Sequence, residues 1–116
     1  MGKKVTAGLV KGRHEMPVED YIWDGPVDPT DMPGIRRHAF DWVAEHCNIR
    51  RSYGQGLNQQ EYTDVQISVG DPLIVYVTGL TACTAAIITA CAHNGVPLTL
   101  MHYNAADGSY IEQYMF

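Results

Sequence analysis

The sequence predicts an α/β fold: a small mixed sheet with a carboxyl-terminal βαβ-hairpin unit and one additional helix nearer the amino terminus. Three observations indicate it. Residues 73–77 are apolar without alternation, which is typical of a central strand covered on both faces. A helix begins within Gly79–Thr81 and ends at Gly95, a residue suited to the left-handed stop of a helix. Residues 96–103 then form a second apolar strand, which the helical crossover makes parallel to the first.

Size and charge limit the architecture and the partners. A chain of 116 residues with 46% hydrophobic content fits a single domain that spans residues 1–116. The net charge of -5 argues against long nucleic acid, whose protein partners carry an excess of Lys and Arg. A small anionic ligand stays open, since backbone amides at a helix start can hold phosphate.

The apolar runs and the cysteines bear on location. The longest apolar run, from about Leu80 to Ala92, is interrupted by threonines and is too short to cross a bilayer, so no membrane partner is expected. The three cysteines are an odd number without metal-like spacing, which disfavours a disulfide framework and favours cytoplasmic thiols. Cys83 and Cys91 are eight residues apart, share one face of the predicted helix and are predicted to pack in the core.

The amino-terminal half begins with a strand, a short strand and a helix. Residues 4–11 read as a first strand, and residues 18–23 form a second one that could pair with it as a hairpin. The segment 28–34 supplies caps and a proline suited to a helix start, and apolar residues then recur at helical spacing. This pattern predicts a helix from about Pro33 to Cys47, with Asn48 as its stop.

A polar segment connects this helix to the next strand. Residues 50–60 contain two glycines and predict a loop, which is either a lid or binding arm or a simple surface connection. Arg50 and Arg51 are adjacent in an otherwise acidic chain, which makes them candidates for contact with phosphate.

The remaining segments predict two further strands. Residues 62–69 alternate between apolar and polar residues, as in a strand with one solvent-exposed face. Near the carboxyl terminus, residues 104–108 close a hairpin into a last strand, because Asp-Gly is a strong turn signal.

The turn before the helix of the βαβ unit is the main candidate site. It reads Thr78-Gly79-Leu80-Thr81, and a glycine here lets the backbone approach a ligand closely. Thr78, Thr81 and Thr84 could add hydroxyl hydrogen bonds to those of the helix amides. The alternative is architectural: Thr81 caps the helix and Gly79 only makes the turn. The turn has no lysine and lacks both GxGxxG and a Walker loop, which disfavours dinucleotide binding and ordinary NTP hydrolysis.

The end of the second strand is predicted to face that turn. An imidazole at His102 could act as a general acid or base, or could simply hydrogen-bond the backbone at the sheet rim. Tyr103 and Asn104 follow as candidate ligand contacts, although Asn also favours turns. His93 is late in the helix, where a cation interacts well with the helix dipole. The histidines lack the carboxylate partners of a metal site, so no metal is predicted.

The carboxyl-terminal third resembles the small CRISPR-associated ring nucleases, which bind and cut cyclic oligoadenylates, and more loosely the Rossmann-like sensor domains for the same messengers. The resemblance covers roughly residues 72–114 and rests on Thr78-Gly79, His93 and Tyr103-Asn104. These residues match a strand-Gly turn, a late helical histidine and a Tyr-Asp pair. Asn104 departs from the family's acidic residue, which would weaken metal-assisted cleavage.

The resemblance implies a small cyclic nucleotide messenger bound at the turn, no cofactor, and a homodimer or higher homo-oligomer. If the chain cleaves its ligand as a metal-independent phosphodiesterase, His102 or His93 would transfer the proton and the amides of Gly79 to Thr81 would hold the scissile phosphate. Two alternatives stay open. One is a non-catalytic protein that sequesters the nucleotide, and the other is an interaction or structural subunit without a ligand.

Overall fold

The computed structural model describes residues 3–12, 15–55 and 64–116, in which seven strands and two helices occur. The strands are β1 Val5–Val10, β2 Tyr21–Trp23, β3 Arg50–Gln55, β4 Asp64–Val69, β5 Leu73–Tyr76, β6 Leu98–Asn104 and β7 Ser109–Tyr114. The helices are α1 Met32–His46 and α2 Thr81–Asn94. The predicted α/β class is confirmed, with a mixed sheet and a second, antiparallel pair of strands.

Five strands form the main sheet in the order β2-β1-β5-β6-β7. β5 and β6 run parallel, with Leu73 opposite Leu98 and Tyr76 opposite Met101, and α2 connects them. β7 is antiparallel to β6 and completes a hairpin. The βαβ-hairpin unit is therefore present as predicted, and β5 is the central strand.

Both helices pack together on one face of this sheet. Buried side chains of the central strands on that face are Leu73, Val75, Leu98 and Leu100. The alternate positions on β5, Ile74 and Tyr76, are only half-buried. The structure therefore buries β5 completely on one face, whereas the sequence predicted burial on both faces. Neither helix in the described ranges is long and apolar enough to cross a membrane.

The described residues 15–20 of the connection from β1 to β2 lie over the opposite face of the sheet. The connections that contain α1 and α2 run across the sheet towards β6, whereas the connection from β1 to β2 runs the other way. Because crossovers between parallel strands are right-handed, connections in opposite directions lie on opposite faces of the sheet. Met16, within this connection, is buried. A Cβ at Gly8 would lie 2.9 Å from Met16 Sδ and 2.6 Å from the ring of Tyr21. The absence of a side chain at Gly8 therefore makes room for the crossing segment.

β1 and β2 are parallel, so the predicted hairpin is wrong. Gly8 lies opposite Tyr21 and Val10 lies opposite Trp23. The strand β1 has six residues and a length of about 20 Å. The ten residues between the strands can span about 33 Å, which is enough to return the chain to the start of the sheet. The spacing of the two strands in the sequence allows either direction.

Residues 50–55 form a strand, whereas the sequence predicted a loop. β3 pairs with β4 from Arg50 opposite Val69 to Gln55 opposite Asp64. The alternation of apolar and polar residues that predicts a strand occurs in β4. β3 lacks this pattern and is a strand because its backbone hydrogen-bonds to β4. The rest of the predicted loop, residues 56–60, and the start of the predicted strand, residues 62–63, lie outside the described residues.

The three cysteines are buried, which confirms the core packing predicted for Cys83 and Cys91. Burial raises the pKa of the Cys47 thiol to about 12, and the charge of Asp71 contributes in the same direction. The pKa of Cys91 is raised to about 12 as well, again mainly by burial. Both thiols are therefore protonated at neutral pH and behave as small apolar side chains.

Candidate ligand crevice at the carboxyl ends of the parallel strands

The carboxyl ends of β1 and β5 mark the point where the chain changes direction across the sheet. After β1 the chain moves to β2, whereas after β5 it moves to β6 on the other side. Adjacent loops that leave a sheet in opposite directions open a crevice between them. β1 and β5 are direct neighbours, with Gly8 opposite Tyr76, so such a crevice is expected beside the start of α2.

A crevice of about 400 Å³ lies at this point. Its lining residues come from the ends of β1 and β2 and from the start of α2: Val10, Lys11, Gly12, Gly25, Pro26, Val27 and Leu80. The backbone N–H of Lys11 donates to the carbonyl of Trp23 at 2.9 Å, which holds the two loops side by side. The crevice therefore includes a lysine, although the predicted turn contains none.

Helix α2 begins at this crevice without a side-chain cap. Leu80 is its N-cap residue and makes no side-chain capping hydrogen bond. Thr81 is the first helical residue and not the N-cap residue, so the alternative weighed for it, capping of the helix, is not observed. The first turn contains no acidic residue. The Cys83 N–H donates to the Leu80 carbonyl at 3.1 Å, whereas the N–H groups of Thr81 and Ala82 precede the first intrahelical bond and lie at the positive end of the helix dipole.

Thr78 and Gly79 form the turn that leads into α2. Thr78 Oγ1 is buried and has no hydrogen-bond partner in the part of the chain that the structure describes. Gly79 is exposed, and a Cβ there would meet no atom within 4 Å. Packing therefore does not require glycine at position 79. Thr84, by contrast, donates its hydroxyl to the Leu80 carbonyl at 3.4 Å, within its own helix.

His102, Tyr103 and Asn104 lie on β6, across β5 from the crevice, and do not line it. His102 Nε2 lies 2.6 Å from Gln113 Oε1, an acceptor, so this nitrogen donates. Tyr103 is 47% exposed and its ring lies near that of a second tyrosine. Asn104 Oδ1 accepts from the N–H of Ala106 at 3.1 Å, which is the turn role weighed for it.

His93 is at the far end of α2. The helix has 14 residues, and His93 lies in its last turn. A helix of this size is about 20 Å long, so the structure does not bring His93 to the crevice or to the turn before α2. Its ring meets Phe40 edge-on, with the ring centroids 5.5 Å apart. The position fits the alternative weighed for it, a cation near the negative end of the helix dipole.

Arg50 and Arg51 lie at the rim opposite the crevice. Arg50 Nη1 is 3.2 Å from Oδ1 of the buried Asp71, which precedes β5. Arg51 Nη2 donates to Oδ1 of Asn94, the last residue of α2, at 3.3 Å. Both arginines therefore join the β3–β4 ribbon to the body of the protein, and the structure does not bring them to the crevice.

Both tryptophans of the chain stack on histidines of α1. The ring centroids of Trp23 and His38 are 5.0 Å apart, and those of Trp42 and His46 are 4.1 Å apart. His38 Nε2 donates to the Ile22 carbonyl at 2.5 Å, which ties α1 to β2. Trp23 directly precedes the loop that forms one wall of the crevice.

Within the described ranges, no three His, Cys, Asp or Glu side chains gather as a metal site would require.

Sequence reasoning missed the contribution of Lys11, Gly12 and residues 25–27. Lys11-Gly12 directly follows the first predicted strand, and Asp24-Gly25-Pro26 directly follows the second. Two turns at the carboxyl ends of strands were therefore visible. The predicted hairpin placed these ends at opposite rims of the sheet, because paired antiparallel strands point in opposite directions. The parallel pairing brings them together.

The fold and the crevice define an open α/β sheet protein whose candidate site lies where neighbouring loops diverge. Comparison of the chain with protein-family models, curated proteins and solved structures found no match. Folds of this kind support many activities, so the function has to be argued from the crevice itself.

Proposed function

We propose that this protein binds a small phosphate-bearing ligand of the cyclic nucleotide class in the crevice between β1, β2 and α2. The main support is the uncapped start of α2, which meets the backbone of the Lys11 loop at one crevice. Amide N–H groups at a helix start and a nearby lysine are groups that hold phosphate in α/β proteins. The same crevice lies at the position where open sheets of this type bind ligands.

The local charge of the crevice differs from that of the whole chain. The chain has 13 acidic and 8 basic residues. Among the described residues, those that line the crevice include one lysine and no Asp or Glu. The start of α2 adds the equivalent of roughly half a positive charge. A small anion would therefore find an attractive site, whereas a long polyanion would also meet the acidic remainder of the surface.

The volume suits one nucleotide unit of a larger ligand. At about 400 Å³ the crevice is near the lower end of the range for small-molecule sites, which is about 300–1,000 Å³. Val10, Pro26, Val27 and Leu80 supply apolar walls for a base or ribose. The remaining units of a cyclic oligonucleotide would lie outside the crevice. The exposed backbone at Gly79 leaves space for them on the α2 side.

The positions of the histidines favour binding over cleavage. Proton transfer requires a donor and an acceptor about 2.6–3.2 Å apart, or one bridging water. His102 lies across β5 and hydrogen-bonds Gln113, and His93 is at the far end of α2. The proposed role is accordingly sensing or sequestering the ligand. Ring-nuclease activity is the alternative, and it would need chemistry on the β6 side of the turn.

Calorimetric titration with cyclic tri-, tetra- and hexaadenylate, cyclic AMP and inorganic phosphate tests the binding. Lys11→Gln removes the lysine at the carboxyl end of β1, and Lys4→Gln is the matched control at its amino end. Both lysines are exposed. We expect Lys11→Gln to weaken binding by about 10- to 150-fold, since a hydrogen bond to a charged group contributes about 1.5–3 kcal/mol. Absence of binding by every ligand, or an equal loss in both variants, contradicts the proposal.

Chromatography of the ligand after incubation separates binding from cleavage. The expected result is intact ligand with both the wild type and His102→Ala. Product that appears with the wild type and disappears with His102→Ala would establish cleavage and would place its chemistry on β6.

The proposal places the protein in the cytoplasm, where nucleotide messengers are made and read. Three buried cysteine thiols fit a reducing compartment. A homodimer is the assembly that the resemblance implies, and a cyclic ligand held between two copies could contact both crevices.

A further inference from the structure

A second cavity lies between the edge strand β2 and helix α1. Its volume is about 320 Å³, and we call it the β2–α1 groove. Ile22 and Trp42 line it and are only 2% and 7% exposed, so they form its floor. Among the described residues, the groove shares Lys11 alone with the ligand crevice. The two cavities are therefore separate sites with one residue in common.

Helix α1 runs antiparallel to β2 along this groove. β1 is parallel to both β2 and β5, so the chain has to return along the sheet between β2 and β5. His38 stacks on Trp23 and bonds to the Ile22 carbonyl, which places this part of α1 beside the end of β2. His46 comes eight residues later, about 12 Å further along the helix. Both histidines line the groove, which therefore has a His38 end and a His46 end.

Carboxylates lie at both ends of the groove. Asp20 directly precedes β2, Asp24 directly follows it, and both line the groove. Four residues of extended chain span about 13 Å, which matches the separation of the two histidines. Because α1 and β2 are antiparallel, Asp24 belongs to the His38 end and Asp20 to the His46 end. Glu19 adds a second carboxylate beside Asp20.

The hydrogen bonds of the two histidines leave acceptors for a ligand. His38 Nε2 donates to the Ile22 carbonyl, and His46 Nδ1 donates to the Trp42 carbonyl at 2.9 Å. A neutral imidazole that donates through one nitrogen offers the other nitrogen as an acceptor. An ionised carboxylate offers acceptors only. Each end of the groove therefore presents a carboxylate and an imidazole nitrogen, and a ligand that fits both ends has to bring hydrogen-bond donors.

The charge of the groove favours a cation over a neutral donor. Among the described lining residues, three carboxylates outnumber the single ammonium group of Lys11. The acidic side chains are exposed, so the field that they produce reaches the solvent in front of the groove. The crevice has the opposite character, with a lysine and a helix start. The two sites therefore select ligands of opposite charge.

We propose that the β2–α1 groove binds a linear diamine, with one ammonium group at each end and the methylene chain over the floor. An ammonium group has three donors and no acceptor, which matches a carboxylate and an imidazole nitrogen. Burial of methylene groups against Ile22 and Trp42 adds a hydrophobic contribution. The separation of the two ends, about 12 Å by the rise of α1, selects the length of the ligand. This inference does not depend on the function proposed for the crevice.

Calorimetric titration with a series of amines tests the proposal. The series consists of linear diamines of four, six, eight and ten carbons, and of octylamine, which has the chain of the eight-carbon diamine but one cation. We expect the eight-carbon diamine to bind most tightly, and octylamine at least about tenfold more weakly, because the hydrogen bonds of the second ammonium group are lost. Absence of binding by every diamine at millimolar concentration, or equal affinities for octylamine and the eight-carbon diamine, overturns the proposal.

Neutralising one end tests the two-ended arrangement. Asp24→Asn should weaken binding of the eight-carbon diamine at least about tenfold, to the affinity of octylamine. Asp41→Asn is the matched control, because Asp41 is an exposed carboxylate of α1 outside the groove lining. An equal loss in both variants would mean attraction to the net charge alone and would refute the site.

The shared lysine separates this proposal from the one for the crevice. Lys11→Gln removes the cation of the groove and should strengthen diamine binding by up to about fivefold, as expected for an exposed charge. The same variant should weaken binding of a phosphate ligand in the crevice. Weaker diamine binding in Lys11→Gln would contradict the groove, whatever its effect on phosphate.

NMR spectra of the histidine rings locate the bound ligand. The eight-carbon diamine should shift the ring resonances of His38 and His46 together, at one common affinity. In Asp24→Asn the shift of His38 should be lost and that of His46 retained. Shifts of neither ring, or of one ring alone in the wild type, would refute a ligand that spans the groove.

Discussion

Replacement of Gly95 by alanine tests how the end of α2 is held against the β3–β4 ribbon. Gly95 ends the helix in the left-handed region, with φ 66° and ψ 33°. A Cβ at this position would overlap the carbonyl oxygen of Ser68 and lie 2.9 Å from its carbonyl carbon. These are backbone atoms of β4, which cannot rotate away as a side chain can. Gly95 also accepts from the Gly70 N–H at 3.2 Å, so a shift there disturbs the base of the ribbon.

Two terms give the size of the effect. The left-handed conformation costs an alanine about 1–2 kcal/mol relative to glycine. Steric overlap in a packed site typically costs about 1–3 kcal/mol. The free energy of unfolding of Gly95→Ala should therefore fall by about 2–5 kcal/mol. In a chain of this size about 4 °C of Tm corresponds to 1 kcal/mol, so the expected decrease in Tm is about 8–20 °C.

Gly79→Ala is the matched control, and both variants would be measured by urea denaturation and calorimetry. A Cβ at Gly79 would meet no atom within 4 Å, so its free energy of unfolding should stay within about 0.5 kcal/mol of the wild type. Its binding of a cyclic nucleotide should nevertheless weaken, because the added methyl group stands beside the crevice. Equal stability of Gly95→Ala and Gly79→Ala would refute the argument from the overlap with Ser68.

Two further predictions concern the cap of α1 and the buried thiols. Asp31 Oδ1 accepts from the Gly34 N–H at 3.0 Å, so Asp31→Ala should lower the free energy of unfolding by about 1 kcal/mol, whereas Asp31→Asn, which keeps the cap, should change it little. Equal effects of the two variants in urea denaturation would contradict this. Burial raises the pKa of Cys47 and Cys91 from an ordinary value near 9.0 to about 12. Their contribution to stability is therefore constant below pH 9 and is lost between about pH 9 and pH 12, as thiolates form in the unfolded chain. The urea midpoint should decline over this range, and less steeply in a Cys47→Ala/Cys91→Ala variant; equal slopes would count against it.

The elements that could be predicted from the sequence are those whose signals are local. β5, α2 and β6 follow one another with short connections, and Gly95 supplies the helix stop, so their order and direction are fixed within about thirty residues. The same applies to the α1 helix, whose cap and apolar spacing are contiguous. Leu80, which lines the crevice, belongs to this local unit.

The elements that could not be predicted depend on pairing between distant segments. β1 pairs with β5, and neither strand's sequence contains a pattern that predicts this pairing. The direction of β2 depends on its pairing with β1, and the strand β3 depends on its pairing with β4. The crevice could not be predicted for the same reason. Lys11 and Leu80 are far apart in the chain and come together only when β1 and β5 pair. His102 lies on β6, which neighbours β5 as predicted, and β6 is across β5 from this crevice.

The stacking of Trp23 on His38 gives the protein an internal optical reporter. Trp23 directly precedes the loop that forms one wall of the crevice, whereas Trp42 is packed on His46 along α1. A ligand that moves this loop would change the overlap of the Trp23 indole with its imidazole and hence its emission. Trp42 would contribute a steady background. Occupancy of the crevice could then be followed by intrinsic fluorescence in the unlabelled protein, with Trp23→Phe to assign the signal.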